Sequence, residues 1–423
     1  MHVKKGYENI MVLVVALAFG FVMFDRFALT NLAPFILPDL KMNNTQFSLV
    51  VASFALTYAV IGFLACFWSD VKGTKKKVLA TFIVLFSLCS FMTGFAAGFI
   101  SLLMIRLVMG VFEGPILPLN QSFLLAQSTP SRRGFNMGIM TTSSVGLISS
   151  LLGPIIVIAL AQALGWRNTF FLTIIPGLIV AFLVMKLLIE PDMSAVVATT
   201  AKVDRKGEFK EILKNRNIVT CLLYSVCIIG WYVVMASFAP LYLTNEKGLD
   251  ETTMSWVMAA LGAGGIVWGM AVPALSDKFG RKPIIIIFGF LSIITPLGLL
   301  YVPSSNIPLM ILCAFLGWCG AGVIAVFNGP VPTESINPKF ASTSVAMIQG
   351  FGELCGTVIG AIIAGILADI YDRGAAMWLC VGLMCAGTLI AFRFYETAPM
   401  VLARRAGGSM QANAEPSESM DKK

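Results

Sequence analysis

Long apolar stretches alternate with short polar joints along the whole chain. A helix that rises about 1.5 Å per residue crosses the hydrocarbon core of a bilayer in about 20 residues. Twelve stretches of about this length are present, at residues 10–36, 47–68, 78–98, 100–127, 135–160, 168–189, 216–243, 254–275, 284–302, 307–328, 344–367 and 374–395. The first is too long for a signal-peptide core and has no small-residue cleavage pattern, so we interpret it as a retained helix. The pattern predicts an all-α membrane protein with twelve transmembrane helices.

Composition leads to the same interpretation. Of 423 residues, 57% are hydrophobic and 12% are charged, with a mean hydropathy of +0.86. Soluble domains cannot bury so much apolar surface, so the lipid bilayer is an expected partner. The nine cysteines lie in predicted helices without a CxxC pair, and His2 is the only histidine. We therefore expect neither a disulfide framework nor a histidine metal site, and we assign the cysteines to packing.

Basic residues predict the orientation, because lysine and arginine near helix ends stay on the cytoplasmic side. If both termini are cytoplasmic, 24 of the 30 lysines and arginines lie on that side and 4 on the other. The remaining two, Arg26 and Arg106, lie inside predicted helices. This distribution explains the net charge of +8 without nucleic acid as a partner. The short loops are typical of a multi-pass protein of a bacterial inner membrane.

Two loops carry the same pattern, Ser-Asp-x-x-Gly-x-basic, at residues 69–75 and 276–282. They follow the second and eighth helices and are predicted to lie on the same side of the membrane. The repeat predicts two parallel six-helix halves related by an axis along the membrane normal. We place the halves at residues 1–190 and 216–396, a polar cytoplasmic linker at 191–215, and a disordered cytoplasmic tail at 397–423.

Each repeated loop has the residues of a charge latch. Glycine permits a tight turn, and the aspartate could cap the next helix or meet basic residues of the other half. Such a latch would break and form again as the halves rock against each other. The predicted gating residues are Asp70, Gly73 and Lys75 in the first loop, and Asp277, Gly280 and Arg281 in the second.

These loops resemble the signature of the major facilitator superfamily, Gly-x-x-x-Asp-x-x-Gly-[Arg/Lys]-[Arg/Lys]. The aspartate and the second glycine match in both copies, and basic residues follow at Lys75 and Lys76 in the first copy and at Arg281 and Lys282 in the second, while Cys66 and Pro273 stand at the leading glycine. The resemblance extends from Asn9 to about Tyr395. It implies a transporter that works by alternating access and, by analogy with the family, as a monomer.

Five charged residues lie well inside predicted helices, away from the helix ends, where each costs several kcal/mol unless it faces a polar cavity. They are Asp25, Arg26, Arg106, Glu113 and Glu353. Arg106, Glu113 and Asn120 recur every seven residues, close to two helical turns, and share one face of the fourth helix. Pro115 and Pro118 should kink or loosen that helix beside this face.

A second polar face is predicted on the eleventh helix. Gln349, Glu353 and Thr357 recur at four-residue steps, between glycines that permit close helix packing. Polar faces from opposite halves that meet at the membrane midplane form the expected transport site. The alternative is that these charges only hold helices together.

The charged pattern also resembles, more narrowly, the anion:cation symporter group, which includes sugar-acid, phosphate-linked, vesicular glutamate and sialic-acid carriers. Its proton-coupled sugar-acid members have an Asp-Arg pair in helix 1, a Tyr in helix 2, and an Arg followed by a Glu seven residues later in helix 4. The matching residues are Asp25, Arg26, Tyr58, Arg106 and Glu113. The resemblance implies that Arg26 grips a substrate carboxylate and that Tyr58 hydrogen-bonds it. Asp25 and Glu113 would carry protons, with Arg106 tuning Glu113.

Glu353 departs from that group, which often has an uncharged residue such as Asn in this segment. It could bind another proton, pair with Arg26, or face a cationic or hydroxyl group of the ligand. We include it with Asn120 and Gln349 among the candidate substrate-binding residues. The prediction is a symporter of a small organic anion, with protons as the coupling ion and no cofactor.

Five aromatic residues of the seventh and eighth helices are candidates for a ligand-facing wall, although interface and lipid contacts explain such residues more often. They are Trp231, Tyr232, Phe238, Tyr242 and Trp268.

The nearest alternative is a proton-driven exporter of drugs or metabolites with the same fold. Its helix-5 signature is Gly-x-x-x-Gly-Pro-x-x-Gly-Gly, which Gly153-Pro154 fits, whereas Ser149, Val157 and Ile158 stand where glycines are expected. An enzyme is not expected, because no nucleophile with a base, metal cluster or cofactor loop is visible. A receptor without flux is a third class, which observed uptake would exclude.

Overall fold

The computed structural model describes residues 6–72, 75–129, 133–190, 213–336 and 341–402. These residues are largely helical, and no strand occurs among them. Eleven of the described helices are long and apolar enough to cross a membrane. The remaining predicted span is the 29-residue helix Asn44–Lys72, which is about 43 Å long at 1.5 Å per residue. The prediction of an all-α membrane fold is confirmed.

The first half contains six long helices, and the short helix Ala33–Asp39 follows the first of them. They are α1 (Tyr7–Asn31), α2 (Asn44–Lys72), α3 (Lys75–Thr93), α4 in two segments (Phe99–Glu113 and Ile116–Gln127), α5 in four segments (Arg133–Gly138, Ile139–Ser143, Val145–Leu151 and Leu152–Leu164), and α6 (Trp166–Leu187).

The second half repeats this arrangement. Its helices are α7 (Arg216–Asn245), α8 (Glu251–Phe279), α9 in two segments (Arg281–Leu291 and Ile294–Tyr301), α10 in three segments (Ile307–Gly317, Gly320–Phe327 and Pro330–Ser335), α11 in three segments (Ala341–Phe351, Gly352–Ile359 and Gly360–Ile370), and α12 (Gly374–Ala391). The folded second half extends past its predicted boundary at 396, since Thr397 Oγ1 donates a hydrogen bond of 2.8 Å to Glu334. Residues 191–212 of the predicted linker and residues 403–423 of the predicted tail lie outside the described residues.

Local sequence explains where several helices start and break. Asn215, Asp250 and Asn306 cap α7, α8 and α10 by accepting hydrogen bonds from backbone N–H groups of the first turns. The predicted break in α4 is confirmed at Gly114-Pro115, where one segment ends and the next begins.

Wider, π-helical turns occupy corresponding positions in the two halves. They cover Ile139–Ser143 and Val145–Leu151 in α5, the fifth helix of the first half, and Gly352–Ile359 in α11, the fifth of the second. Such turns are rare and often lie at functional sites, because they turn side chains away from the regular helical register. The sequence pattern did not predict them.

The two halves approach each other closely along two pairs of helices, α2 with α11 and α5 with α8. Small residues permit this approach. A Cβ atom on Gly365 of α11 would lie 2.0 Å from Ser48 Oγ and 2.8 Å from the Asn44 carbonyl oxygen of α2. A Cβ atom on Gly262 of α8 would lie 2.2 Å from the carbonyl carbon of Ser150 in α5. Larger side chains at these glycines would force the halves apart.

Polar contacts fasten the halves at one end of the bundle, which we call the Asp369 end. The Asp369 carboxylate of α11 caps the start of α2, accepting hydrogen bonds from Asn44 N and Nδ2 (2.9 and 2.8 Å) and from Thr45 N and Oγ1 (2.8 and 2.6 Å). Arg373 donates to Asn44 Oδ1 (3.2 Å) and pairs with Glu246 (3.2 Å). Because a carboxylate is favourable at a helix N-terminus, this contact stabilises closure at the Asp369 end.

We predict that Gly365→Ala opens the Asp369 end. The added methyl group would meet backbone at Asn44, and overpacking of this kind costs about 1–3 kcal/mol. The separation of the halves should therefore shift towards longer distances, as measured by electron–electron double resonance between spin labels at Asn43→Cys and Tyr371→Cys.

Gly350→Ala is the matched control, since it lies in the same helix and an added Cβ atom there would meet nothing within 4 Å. Equal distance distributions for Gly365→Ala, Gly350→Ala and the parent protein would show that this contact does not hold the halves together.

Candidate functional site

Arg26 lies on α1 between the two halves. Its Nη2 atom is 3.7 Å from Glu353 Oε2 of α11, and the two side chains are 18% and 15% exposed. The guanidinium also lies over two aromatic rings of α2, with its central carbon 4.8 Å from the centre of Phe54 and 5.3 Å from that of Tyr58. Arg26 thus connects aromatic residues of the first half to a carboxylate of the second.

Glu353 is held by two residues of its own helix. Gln349 Nε2 donates to Glu353 Oε1 (3.2 Å), and Thr357 Oγ1 donates to Glu353 Oε2 (3.0 Å). The predicted shared face of these three residues is confirmed. Asn328 Nδ2 of the interrupted helix α10 donates to Gln349 Oε1 at 2.5 Å. Of the three alternatives for Glu353, the structure shows the pair with Arg26.

Asn328 was missed by the sequence analysis. The sequence Asn328-Gly329-Pro330 could have indicated this residue, since it interrupts the tenth helix beside the polar face of the eleventh.

Asp25 points away from Arg26 into the first half. Successive residues of a helix diverge by about 100°, and Asp25 is 3% exposed. Ser90 of α3 donates a hydrogen bond to its Oδ1 atom, and the hydroxyls of Ser90 and Thr173 are hydrogen-bonded at 2.8 Å. The other carboxylate oxygen, Oδ2, makes no hydrogen bond within the described part of the chain. Ser90 and Thr173 were not predicted, because periodicity within one helix does not show which residues of other helices face it.

The polar face of α4 is buried inside the first half, with Arg106, Glu113 and Asn120 at most 2% exposed. Arg106 Nη1 donates to Met109 Sδ (3.3 Å), and the guanidinium lies 5.9 Å from the ring centre of Phe170. Among the described residues, both Glu113 oxygens, both Asn120 amide atoms, and Nε and Nη2 of Arg106 lack a hydrogen-bond partner. Polar atoms buried in this way are costly and are commonly retained for function.

Electrostatic interactions join these residues into one cluster. Arg106 interacts with Asp25 and Glu113, while Glu113 also interacts with Arg26, which in turn interacts with Glu353. We call these five residues the central charge cluster. With every member ionised it contains three carboxylates and two guanidinium groups, so carboxylates outnumber cations by one.

The five aromatic residues of α7 and α8 differ in their surroundings. Tyr232 of α7 lines a small pocket with Phe27, Asn31 and Trp318, and its ring centre is 5.1 Å from that of Trp318. Trp231 is fully buried against Trp318. Phe238 packs against Phe47, Trp268 donates to the Phe315 carbonyl, and Tyr242 is buried. The ligand-facing wall stays a prediction.

In the second repeated loop, Arg281 pairs with Asp277 (2.5 Å) and Glu334 (2.8 Å), which both belong to the second half. Because residues 130–132 and 191–212 lie outside the described residues, the latch to the other half stays a prediction. Asp277 does not cap the next helix. Glu396 does so, because its carboxylate accepts from the backbone N–H groups of Arg281 (2.8 Å) and Lys282 (3.3 Å).

The predicted glycine turn of this loop is confirmed, since Gly280 has a φ of +110°.

The first loop has a corresponding cap. The backbone N–H of Lys76 donates to both oxygens of Glu190 (3.0 and 3.3 Å), while Lys75 Nζ donates to Ser122 Oγ (3.2 Å). Glu190 and Glu396 thus act alike, each following the sixth helix of its half and capping the third. The sequence analysis missed both. Gly73 and the side chain of Asp70 lie outside the described residues, so the gating role of the first loop stays a prediction.

Comparison with known proteins gives one family match over most of the chain. The profile of the Major Facilitator Superfamily matches residues 15–358. A hexuronate transporter of Bacillus subtilis is 29% identical over 390 residues, which is 88% of this chain and 90% of that protein. A probable sulfoacetate transporter of Cupriavidus necator is 25% identical over 285 residues, 64% of this chain and 65% of that one.

Efflux proteins are also among the relatives. An efflux pump of Mycolicibacterium smegmatis is 24% identical over 358 residues, 82% of this chain and 81% of that protein. Among solved structures, a bacterial homologue of the human lysosomal transporter Spinster has a TM-score of 0.74 at 17% identity, covering 92% of this chain and 95% of its own. At that identity the likeness concerns the fold.

We predict that Glu396→Gln lowers the melting temperature of the purified protein in detergent. A carboxylate at a helix N-terminus contributes about 0.3–1 kcal/mol, and the neutral amide loses most of this contribution. Glu190→Gln should have a similar effect in the other half. Glu251→Gln is the control, because it removes a charge from the first turn of α8 while Asp250 keeps that cap. Melting temperatures unchanged by the first two variants would contradict a capping role.

Proposed function

This chain belongs to the major facilitator superfamily, and from that premise we propose that it is a proton-coupled symporter of a small organic anion. It is a multi-pass membrane transporter and not an enzyme. The substrate class, the coupling ion and the direction of transport are proposals. They rest on the Arg26–Glu353 pair, in which an arginine of one half faces a carboxylate of the other.

Arg26 has the properties of an anion-binding residue. A guanidinium presents a planar set of donors that matches a carboxylate, and it stays charged at any physiological pH. It is held over the faces of Phe54 and Tyr58, which fix its position. Its 18% exposure leaves it accessible, in contrast to Arg106, which is 2% exposed. We assign Arg26 to the substrate carboxylate, with Tyr58, Gln349 and Glu353 around the ligand. Asn120, the other predicted substrate-binding residue, is fully buried inside the first half and is not part of this assignment.

Charge balance supports protons as the coupling ion. The central charge cluster already has one more carboxylate than it has cations, and uncompensated charge in a low-dielectric interior is costly. A bound organic anion would add a second excess negative charge. Protonation of Asp25 and Glu113 removes two, so a monoanion accompanied by protons leaves the cluster neutral. Coupling would then follow from electrostatics, because neither anion nor protons bind well alone.

Burial supports Asp25 and Glu113 as the proton carriers. Both are buried within the first half, and each has at least one carboxylate oxygen without a hydrogen bond among the described residues. Arg106 interacts electrostatically with both carboxylates. A cation shared by two carboxylates can favour either one in its ionised form.

The relatives support an anion as substrate. Two of them are named for hexuronate and sulfoacetate, which are both anions. The efflux relative makes export the alternative outcome of the test. The charge distribution predicts that the basic ends of the helices lie in the cytoplasm. The Asp369 end would then face outwards. We propose that the protein acts as a monomer in the inner membrane of a bacterial cell.

Proton influx into proteoliposomes with an enclosed pH-sensitive dye tests the proposal. Sugar acids, aromatic acids, dicarboxylates and neutral sugars are added in turn. We expect acidification with one class of anion, because each substrate enters with protons. Arg26→Ala should abolish it through loss of substrate binding, and Asp25→Asn should abolish proton influx through loss of a carrier.

Arg393→Ala, an exposed arginine outside the central charge cluster, is the control and should keep the parent rate. No acidification with any acid, together with proton efflux on adding amphipathic cations, would replace the symporter by an exporter.

A further inference from the structure

Glu353 and a substrate carboxylate would need the same partner. Glu353 is the acidic side chain that pairs with Arg26 among the described residues, and the proposed function gives that guanidinium to the ligand. We infer that Glu353 is a built-in substitute for the substrate: it neutralises Arg26 when the ligand has left, and the ligand must displace it to bind. This inference rests on the proposed function and gives Glu353 a specific role in the transport cycle.

The geometry of the pair suits displacement. At 3.7 Å, Arg26 and Glu353 attract each other without the short, two-pronged contact of a tight pair, and both side chains are partly exposed. Arg281 shows the contrast, because it is 6% exposed and contacts Asp277 and Glu334 at 2.5 and 2.8 Å. Partly exposed ion pairs contribute little to stability, so a ligand carboxylate with better geometry can replace one.

Glu353 has other partners that remain when Arg26 is taken. Gln349 donates a hydrogen bond to its Oε1 atom and Thr357 donates one to its Oε2 atom. Asn328 in turn donates a hydrogen bond to the side-chain oxygen of Gln349. The displaced carboxylate therefore does not become a buried charge without donors, which would cost several kcal/mol. Asn328 is a positioning residue in this arrangement, since it holds Gln349, which in turn holds Glu353 beside Arg26.

The exchange also affects the return of the unloaded carrier. Arg26 and Glu353 belong to α1 and α11 of opposite halves, so their pair bridges the interface that must rearrange. A carrier that has released its anion would otherwise move Arg26 through the occluded state without a carboxylate in direct contact, which is unfavourable at low dielectric. With Glu353 the unloaded carrier keeps Arg26 neutralised. Loaded and unloaded carriers then differ in which carboxylate faces Arg26.

We expect Glu353→Gln to separate binding from net transport. The amide keeps the size and hydrogen-bonding capacity of the side chain but no longer competes for Arg26, so anion affinity should rise about fivefold, the value of a modest ion pair. Net uptake should fall, because the unloaded carrier returns with Arg26 unpaired. Exchange of internal for external anion should persist, because it needs only the loaded carrier. A merely structural defect would lower all three.

The experiment uses the full-length protein and the anion that gives acidification in the dye assay, or galacturonate if none does. Affinity is measured by calorimetry, and net uptake and exchange are measured in proteoliposomes. Asn328→Ala should shift affinity in the same direction by a smaller factor. Glu246→Gln is the matched control, because it breaks an ion pair with Arg373 at the Asp369 end and should leave anion affinity unchanged.

A ligand-independent measurement separates this inference from the proposed function. Phenylglyoxal modifies accessible arginines, and mass spectrometry follows the peptide that contains Arg26. Faster labelling of Arg26 in Glu353→Gln than in the parent, with Arg167 as an internal reference, supports the pairing even if no anion binds and the proposed function fails. Equal labelling of Arg26, or unchanged or weaker anion binding in Glu353→Gln, overturns the inference. If that variant does not fold, Glu353→Asn gives the same comparison.

Discussion

The rest of the structure depends on how charge is balanced where water is scarce. The five charged side chains of the central charge cluster lie inside membrane helices, and each would be costly there if it stood alone. The helices bring them together so that Arg106 interacts with Asp25 and Glu113, and Arg26 with Glu353. With every member ionised the cluster has one excess negative charge, and under the proposed function this excess is what protons and an anion would change. A fully neutral set of fixed pairs would hold the helices together but would give no reason to bind anything.

A second requirement of the proposed function is that the two halves close against each other and can still separate. The packing at their interface meets it. Glycines at Gly365 and Gly262 let backbones meet across the interface, while Asp369 adds a polar contact that water can replace. Polar contacts of this kind fix how the two halves align, yet they cost little free energy to break because water can replace them. An apolar interface would cost more free energy to open. The glutamate caps at Glu190 and Glu396 lie within their own halves, each beside the repeated loop of its half. In the proposed transport cycle, movement would therefore concentrate at the interface.

Sequence periodicity predicted the parts of this account that depend on a single helix. It identified the spans, the shared faces of Arg106 with Glu113 and of Gln349 with Glu353, and the break at Pro115. It could not predict partners on other helices, such as Ser90 for Asp25 or Asn328 for Gln349, because these depend on how helices rotate and cross. The loops show the same limit. Their repeat was visible in the sequence, but capping by Glu190, and by Glu396 instead of Asp277, arises from tertiary contacts that no local pattern contains.

The central claim is that an organic anion and protons move together in the same direction, and an imposed pH gradient tests it most directly. Proteoliposomes are loaded at one pH and diluted into another, with valinomycin and equal potassium on both sides to hold the membrane potential at zero, and the entry of a radiolabelled hexuronate is followed. The account predicts accumulation above the external concentration when the interior is alkaline, and its collapse when a protonophore is added. Accumulation only with an acidic interior would show exchange of protons for substrate and would contradict the account.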